Sequence, residues 1–191
     1  MRDAVWLGID LGTQSVRALA VTASGEIAGA GAHELTGRRE EDRHEQDPEE
    51  WWRATAAACG NALDGIAPGA VRAVAVDGTS GTILLTDSGG RPLTPALMYD
   101  DTRATEETRR VNEAGAAVWE ELGYRRMQPA WALPKLLWLL RRHRGPVHLA
   151  HQADFVNRRL AGHAGDVGEH PQPARAGRSA AADPQLHWPR P

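Results

Sequence analysis

Asp10, Gly12, Thr13, Gln14, Ser15 and Arg17 have the types and spacing of an anion site. An apolar run, Val5 to Ile9, delivers Asp10 at its end, and a second run, Val16 to Val21, follows the turn. Gly12 lets the backbone approach a bulky anion. Successive backbone N–H groups in a glycine turn form a nest that suits phosphate oxygens. Thr13, Gln14 and Ser15 add hydroxyl and amide donors. Asp10 beside such a nest can hold Mg²⁺, usually through water, because that cation takes oxygen ligands and keeps part of its hydration. Arg17 can add positive charge near the phosphates. The same residue types also make a plain hairpin turn, since Asp, Gly, Thr and Ser all favour turns.

A second strand-turn unit runs from Val71 to Val76, through Asp77, into Gly78-Thr79-Ser80-Gly81 and on to Thr82–Leu85. Asp77 either faces a cleft or simply ends its strand. Other chemistries have no footprint. There is no Gly-x-x-x-x-Gly-Lys-Ser/Thr, no Gly-x-Gly-x-x-Gly after a strand and no His-Glu-x-x-His. The eight histidines are scattered, and His143, His148 and His151 read as surface or packing residues rather than metal ligands. The single cysteine, Cys59, has no basic partner nearby and reads as core packing rather than a nucleophile.

The elements that must position these turns follow from periodicity and punctuation. Ala23-Ser24-Gly25-Glu26 is a hairpin turn, so Val5–Ile9, Val16–Val21 and Glu26–His33 read as an antiparallel meander, its third strand weakened by Gly29 and Gly31. Residues 36–46 are polar without periodicity and read as a solvated loop. Asp47-Pro48-Glu49-Glu50 starts a helix, with Asp47 as cap and Glu50 completing a capping box. Trp52, Ala56, Cys59, Leu63 and Ile66 are its expected buried face. Arg103–Asn112 is a charged helical segment. Leu133 to about His143 is an apolar helix with a Leu136, Leu137, Leu140 stripe and a basic end that suits the helix dipole. Val147–Ala150 is a short strand, and Gln152–Leu160 a last helix closed by Gly162, with Asp154 starting or packing it.

Composition bounds the rest. The chain has 191 residues, 41% hydrophobic and 25% charged, which suits one globular domain with a sizeable core. A formal net charge of −3 argues against a nucleic-acid binder built on a basic face. One cysteine excludes an intrachain disulfide framework. No apolar run approaches the roughly 18 residues of a membrane helix, and the first residues do not read as a signal peptide. The expectation is a cytoplasmic protein, with no nucleic acid and no membrane partner and with its oligomeric state open.

Five segments in series carry a resemblance. GIDLGTQSVRALAV resembles the first phosphate-binding hairpin of the sugar-kinase branch of the actin-like ATPase superfamily. AVAVDGTSGTILLTDSGGRPLTPALMYDDTRA is similar to the segment of FGGY carbohydrate kinases that helps bind sugar. EQDPEEWW, LPKLLWLLR and HQADFVNRRLAG resemble elements of the same N-terminal domain. The likeness covers about residues 4–163. It implies an α/β, ribonuclease H-like domain with an N-terminal antiparallel hairpin meander, a mixed sheet and flanking helices. Asp77-Gly78-Thr79-Ser80 with Met98-Tyr99-Asp100-Asp101 looks closer to D-ribulokinase-like pentulose kinases than to glycerol kinases or typical xylulokinases.

The resemblance implies ATP, Mg²⁺ and a sugar as ligands. It places Asp10 at the magnesium and the transferring phosphate, and Gly12, Thr13 and Gln14, with Ser15 and Arg17 beside them, at the β- and γ-phosphates. It places Ser80, with Asp77 and Thr79, and Asp101 with Arg103 along the sugar cleft. Ser80 can equally cap a turn, and Asp101 can cap a helix begun at Thr102. No residue here matches the family's general base, an aspartate later than residue 191, or its adenosine pocket. Residues 1–163 therefore read as a partial N-terminal domain. Residues 164–191, with prolines at 171, 173, 184, 189 and 191, read as a disordered or out-of-frame tail. The expectation is a carbohydrate kinase fragment that is inactive alone. A non-catalytic sugar- or partner-binding module and a pseudogene relic are the alternatives.

Overall fold

The computed structural model describes residues 4–123 and 126–162, so the expectations for residues 164–191 lie outside the described residues. β1 (Val5–Leu11) and β2 (Ser15–Thr22) alternate strictly, with Val5, Leu7, Ile9 and Leu11 facing inward beside Val16, Ala18 and Ala20. Period-two burial of this kind makes one sheet face a core and leaves the other open. β3 (Ile27–Glu34) pairs antiparallel with β2, completing the expected meander. After α1 (Pro48–Ala62) the chain crosses to β6 (Val71–Gly78), which lies parallel to β1, so the four-stranded sheet is mixed, in the order β3-β2-β1-β6.

The glycines of β3 do more than weaken a strand. A Cβ on Gly29 would stand 2.1 Å from the Ala62 carbonyl oxygen, and one on Gly31 2.1 Å from that of Ala58. α1 therefore lies directly on β3, and its small residues face the sheet. The buried face is Trp51, Ala54, Thr55, Ala58 and Ala62. This corrects the expected face by one residue: Ala56 is exposed, and Trp52, Cys59, Leu63 and Ile66 flank the core. Bulky residues were expected inward, but the close approach selects alanine. Cys59 packs against that core, and burial pushes its thiol up. Trp51 meets Phe155 edge-on at 6.2 Å, joining α1 to α5 (Gln152–Leu160).

Asp47 caps α1 through the Glu49 amide at 2.9 Å. Glu50 does not complete the capping box. Its carboxylate instead accepts from the Thr36 amide at 3.0 Å and the Thr36 hydroxyl at 2.9 Å. Residues 36–46 are not a free loop either. β4 (Arg38–Glu40) and β5 (Arg43–Gln46) form a hairpin with His44 and Gln46 buried. It opens a second sheet of order β4-β5-β8-β7-β9, with β7 Ile83–Thr86, β8 Ala96–Leu97 and β9 His148–His151. Ion pairs to its polar side chains, described below, hold what composition alone marked as solvated.

α2 (Thr105–Ala114) and α3 (Ala116–Glu121) follow, then α4 (Ala132–Arg142). Inside α4 the buried residues are Pro134, Lys135 and Leu139, while Leu140 is exposed, so the Leu136–Leu137–Leu140 stripe is also displaced by one position. Asp154 starts α5 by accepting from the His151 amide at 3.1 Å. No helix among the described residues is long and apolar enough to cross a membrane.

The close approach of α1 to β3 makes a direct prediction. Gly31→Ala lowers the free energy of unfolding in urea by about 1–3 kcal/mol through overpacking. Gly8→Ala, where nothing lies within 4 Å of the added carbon, leaves it unchanged within about 0.5 kcal/mol.

Candidate active site

The two turns singled out by their residues meet at one end of the first sheet. β1 and β6 pair in a register that sets Asp10 beside Asp77, and β1 and β2 set Asp10 beside Arg17. All three side chains are exposed on the open face. The two strands are parallel, so both turns leave from carboxyl ends, where α/β sheets place their ligands. The turns are also tied together. The Thr79 hydroxyl donates to the Leu11 carbonyl at 3.4 Å, and the Thr79 amide donates to Gln152 Oε1 at 2.9 Å.

The hairpin tip is held from below. Gly12 donates its amide to the Ser15 carbonyl at 3.0 Å, and a Cβ there would stand 3.2 Å from that oxygen. Gln46 Nε2 donates to the Thr13 carbonyl at 2.7 Å, while Gln46 Oε1 accepts from Trp51 Nε1 at 2.7 Å. The Gln14 carbonyl accepts from the Leu35 amide at 2.8 Å. The tip carbonyls are thus drawn inward by buried or neighbouring donors, and Gln14 stays exposed. This is a turn pre-shaped by its surroundings, which is what an anion nest requires. Along the open face a groove of ≈ 900 Å³ runs from Asp10, Arg17 and Asp77 over Gly8, Leu19 and Ala75.

Asp101 and Arg103 sit elsewhere. Asp101 is fully buried, and its carboxylate accepts from the His44 amide at 2.8 Å and from Arg103 Nη2 at 2.6 Å and Nε at 2.9 Å. Arg103, itself 4% exposed, also donates to Glu45 at 2.6 Å and lies 5.0 Å from the Trp138 ring centre. Neither has a polar group aimed into open space. Asp101 does not cap α2 either, since that helix starts at Thr105 with Ala104 at its cap position. The pair pins the β4–β5 hairpin to the segment between β8 and α2. Asp100 works beside it, bonded to His44 Nδ1 at 2.6 Å and to Arg39 at 2.8 Å. Burial alone would raise the Asp100 pKa, but the His44 bond and the His44 and Arg39 charges outweigh it, and the carboxyl lies below its usual range.

Sequence reasoning passed over Lys135. It is fully buried on α4, and its Nζ donates to the Gly81 and Met98 carbonyls, both at 2.7 Å. Burial pushes it down to about 8, against the upward pull of Asp101 and Asp100. One signal was in plain sight: the 22 basic residues are 21 arginines and this lysine.

The residues at the open end suit Mg²⁺ of one particular kind. Asp10 presents one exposed carboxylate with room for a hydrated ion. No group of three or more His, Cys, Asp or Glu that could hold a metal occurs among the described residues. A single exposed carboxylate suits an ion that keeps most of its water ligands.

Comparison with known proteins shows the family. The N-terminal domain of the FGGY family of carbohydrate kinases matches residues 5–163. The chain belongs to that family. Xylulose kinase of Escherichia coli (strain K12) is 33% identical over 138 residues, 72% of this chain and 28% of that protein. Xylulose kinase of Streptomyces coelicolor is 32% identical over 168 residues, 82% of this chain and 33% of that protein. The chain thus spans about a third or less of the curated relatives it matches. A solved xylulose kinase from Brucella ovis superposes with a TM-score of 0.69 at 29% identity, covering 81% of this chain and 34% of that one. Glycerol kinase from Plasmodium falciparum, solved with ADP, superposes at 0.71 with 17% identity over 84% of this chain and 35% of its own, which shows the shared ribonuclease H-like, actin-like ATPase fold. These relatives carry the names of xylulose and glycerol kinases. The D-ribulokinase likeness of Asp77–Ser80 draws no support from them.

Removing Arg103 would strand the buried Asp101 charge. Arg103→Met is expected to cost about 3–5 kcal/mol in urea denaturation. Arg109→Met, on the exposed face of α2, leaves the unfolding midpoint where it is.

Proposed function

We propose that this chain is the phosphate- and sugar-facing part of an ATP-dependent pentulose kinase. The observation that carries the reading is the convergence of two turns, Gly12–Ser15 and Thr79–Ser80, at the carboxyl ends of paired parallel strands with Asp10 and Asp77 between them. In the reaction a sugar hydroxyl oxygen forms a bond to the γ-phosphorus of ATP, the bond from that phosphorus to the bridging oxygen breaks, and ADP leaves. Catalysis of such a transfer is mostly positioning and charge neutralisation. When bound, Mg²⁺ would supply charge neutralisation for the transferring phosphoryl group. Asp10 would hold its water shell, the Gly12–Ser15 turn would donate to phosphate oxygens, and Arg17 would balance charge at the same end. Ser80 and Thr79 face the sugar, with Asp77 beside them. Asp101 and Arg103 support the wall from within.

The accepting hydroxyl must lose its proton to a base, a step usually worth about 10²–10⁴-fold. The family resemblance puts that aspartate in the longer relatives beyond the stretch matched here. The pentulose assignment follows the xylulose kinase names of the relatives and the Asp-Gly-Thr-Ser turn. Xylulose and ribulose differ only in the configuration of one hydroxyl, which a site discriminates through side chains placed around it.

The purified chain is expected to bind D-xylulose or D-ribulose saturably in calorimetry and to form little or no ADP from ATP with either. Ser80→Ala weakens the sugar without altering the fold, and Asp10→Asn removes the Mg²⁺ dependence of nucleotide binding. Absence of any pentulose binding, or a Ser80→Ala variant that binds as the parent does, contradicts the assignment.

A further inference from the structure

The only lysine of the chain occupies the innermost position of α4. An ammonium is a compact point charge with three donors, and it fits between two carbonyls where the planar fork of arginine does not. Here it takes the Gly81 and Met98 carbonyls, both at 2.7 Å. Gly81 adopts φ +81 and closes the turn that carries Thr79 and Ser80. The Met98 carbonyl also accepts from the Asp101 amide at 3.0 Å, so it begins the turn that delivers Asp100 and Asp101. One ammonium therefore joins α4 to both segments of the wall. The charged groups facing it are Asp101, Asp100 and Arg103.

We propose that Lys135 is a positioning residue for the sugar-facing wall, fixing the Ser80 turn against the Met98–Asp101 turn and so setting pentulose affinity. The inference rests on the sugar reading of Ser80 made above. Lys135 does not touch sugar itself, because it is fully buried. It acts through Gly81. Without it, the Gly81 carbonyl loses the ammonium, the Met98 carbonyl keeps only the Asp101 amide, and the Ser80 turn loses its tie to α4.

A single lysine makes the test selective. Lysine labelled with ¹³C at Cε gives one side-chain resonance in the whole protein. In the unaltered chain this resonance is expected to titrate near 8 and to move when D-xylulose is added. A resonance unmoved by D-xylulose at saturation overturns the coupling to the sugar, a readout that needs no variant.

Lys135→Met, checked for native circular dichroism, is expected to displace the backbone amides of Ser80, Gly81, Thr82 and Tyr99. It should weaken D-xylulose by about tenfold or more. Lys135→Arg keeps the charge and loses the geometry, so it does not restore affinity. Full restoration by arginine overturns the proposal, as does a folded Lys135→Met whose affinity stays within roughly twofold of the parent. If the parent chain binds no D-xylulose, the sugar reading falls and the role in sugar affinity falls with it. The amide positions still decide whether the clamp exists.

Discussion

The parallel pairing of β1 with β6 is the constraint on which the candidate site depends. Their register places Ile9 beside Val76 in the core and Asp10 beside Asp77 on the open face. A slip of one residue would exchange core and solvent faces along the whole strand. Because the register is held by buried Leu7, Ile9 and Leu11, the positions of the two carboxylates are consequences of hydrophobic burial at alternate positions of the same strand. The turns that follow each strand then start from one level, and the Thr79–Leu11 bond joins them.

Polar groups buried behind the wall supply its shape. Gln46 spans from Trp51 to the Thr13 carbonyl, Arg103 neutralises Asp101, and Lys135 bridges Gly81 and Met98. Buried groups of this kind add little net stability compared with apolar packing, yet breaking one partner costs heavily. Their effect is to allow one arrangement of turns and penalise others. The first sheet has the opposite character on its open face, where Leu19, about two-fifths exposed, lines the groove and Trp6 is exposed to the same degree.

The meander and the start of α1 were legible because strict alternation, a Gly hairpin and the Asp47-Pro48 start each reflect local physics, whereas the parallel pairing of β6 with β1 was not. The β1–β2 hairpin that carries Asp10 and Gly12–Ser15 was legible for the same reason, since its residues are contiguous. What stayed hidden depended on distant partners. The β4–β5 hairpin reads as a charged loop until Asp100, Asp101 and Arg103, more than fifty residues on, neutralise it. The inward faces of α1 and α4 were each displaced by one residue, for two reasons. Gly29 and Gly31 admit alanines where larger residues were expected, and Lys135 goes inward to reach carbonyls. Asp101 and Arg103 were recognisable as a motif, but its burial behind the wall was not.

The central claim is that one site at the ends of β1 and β6 receives both phosphate and sugar. Paramagnetic broadening by Mn²⁺, added with ADP to the ¹⁵N-labelled chain, tests it most directly. The account predicts loss of amide signals at Gly12–Ser15 and at Asp77–Ser80 together, with those of α2 and the outer face of α1 intact. Broadening centred on any other surface, or on the hairpin without the second turn, would contradict it.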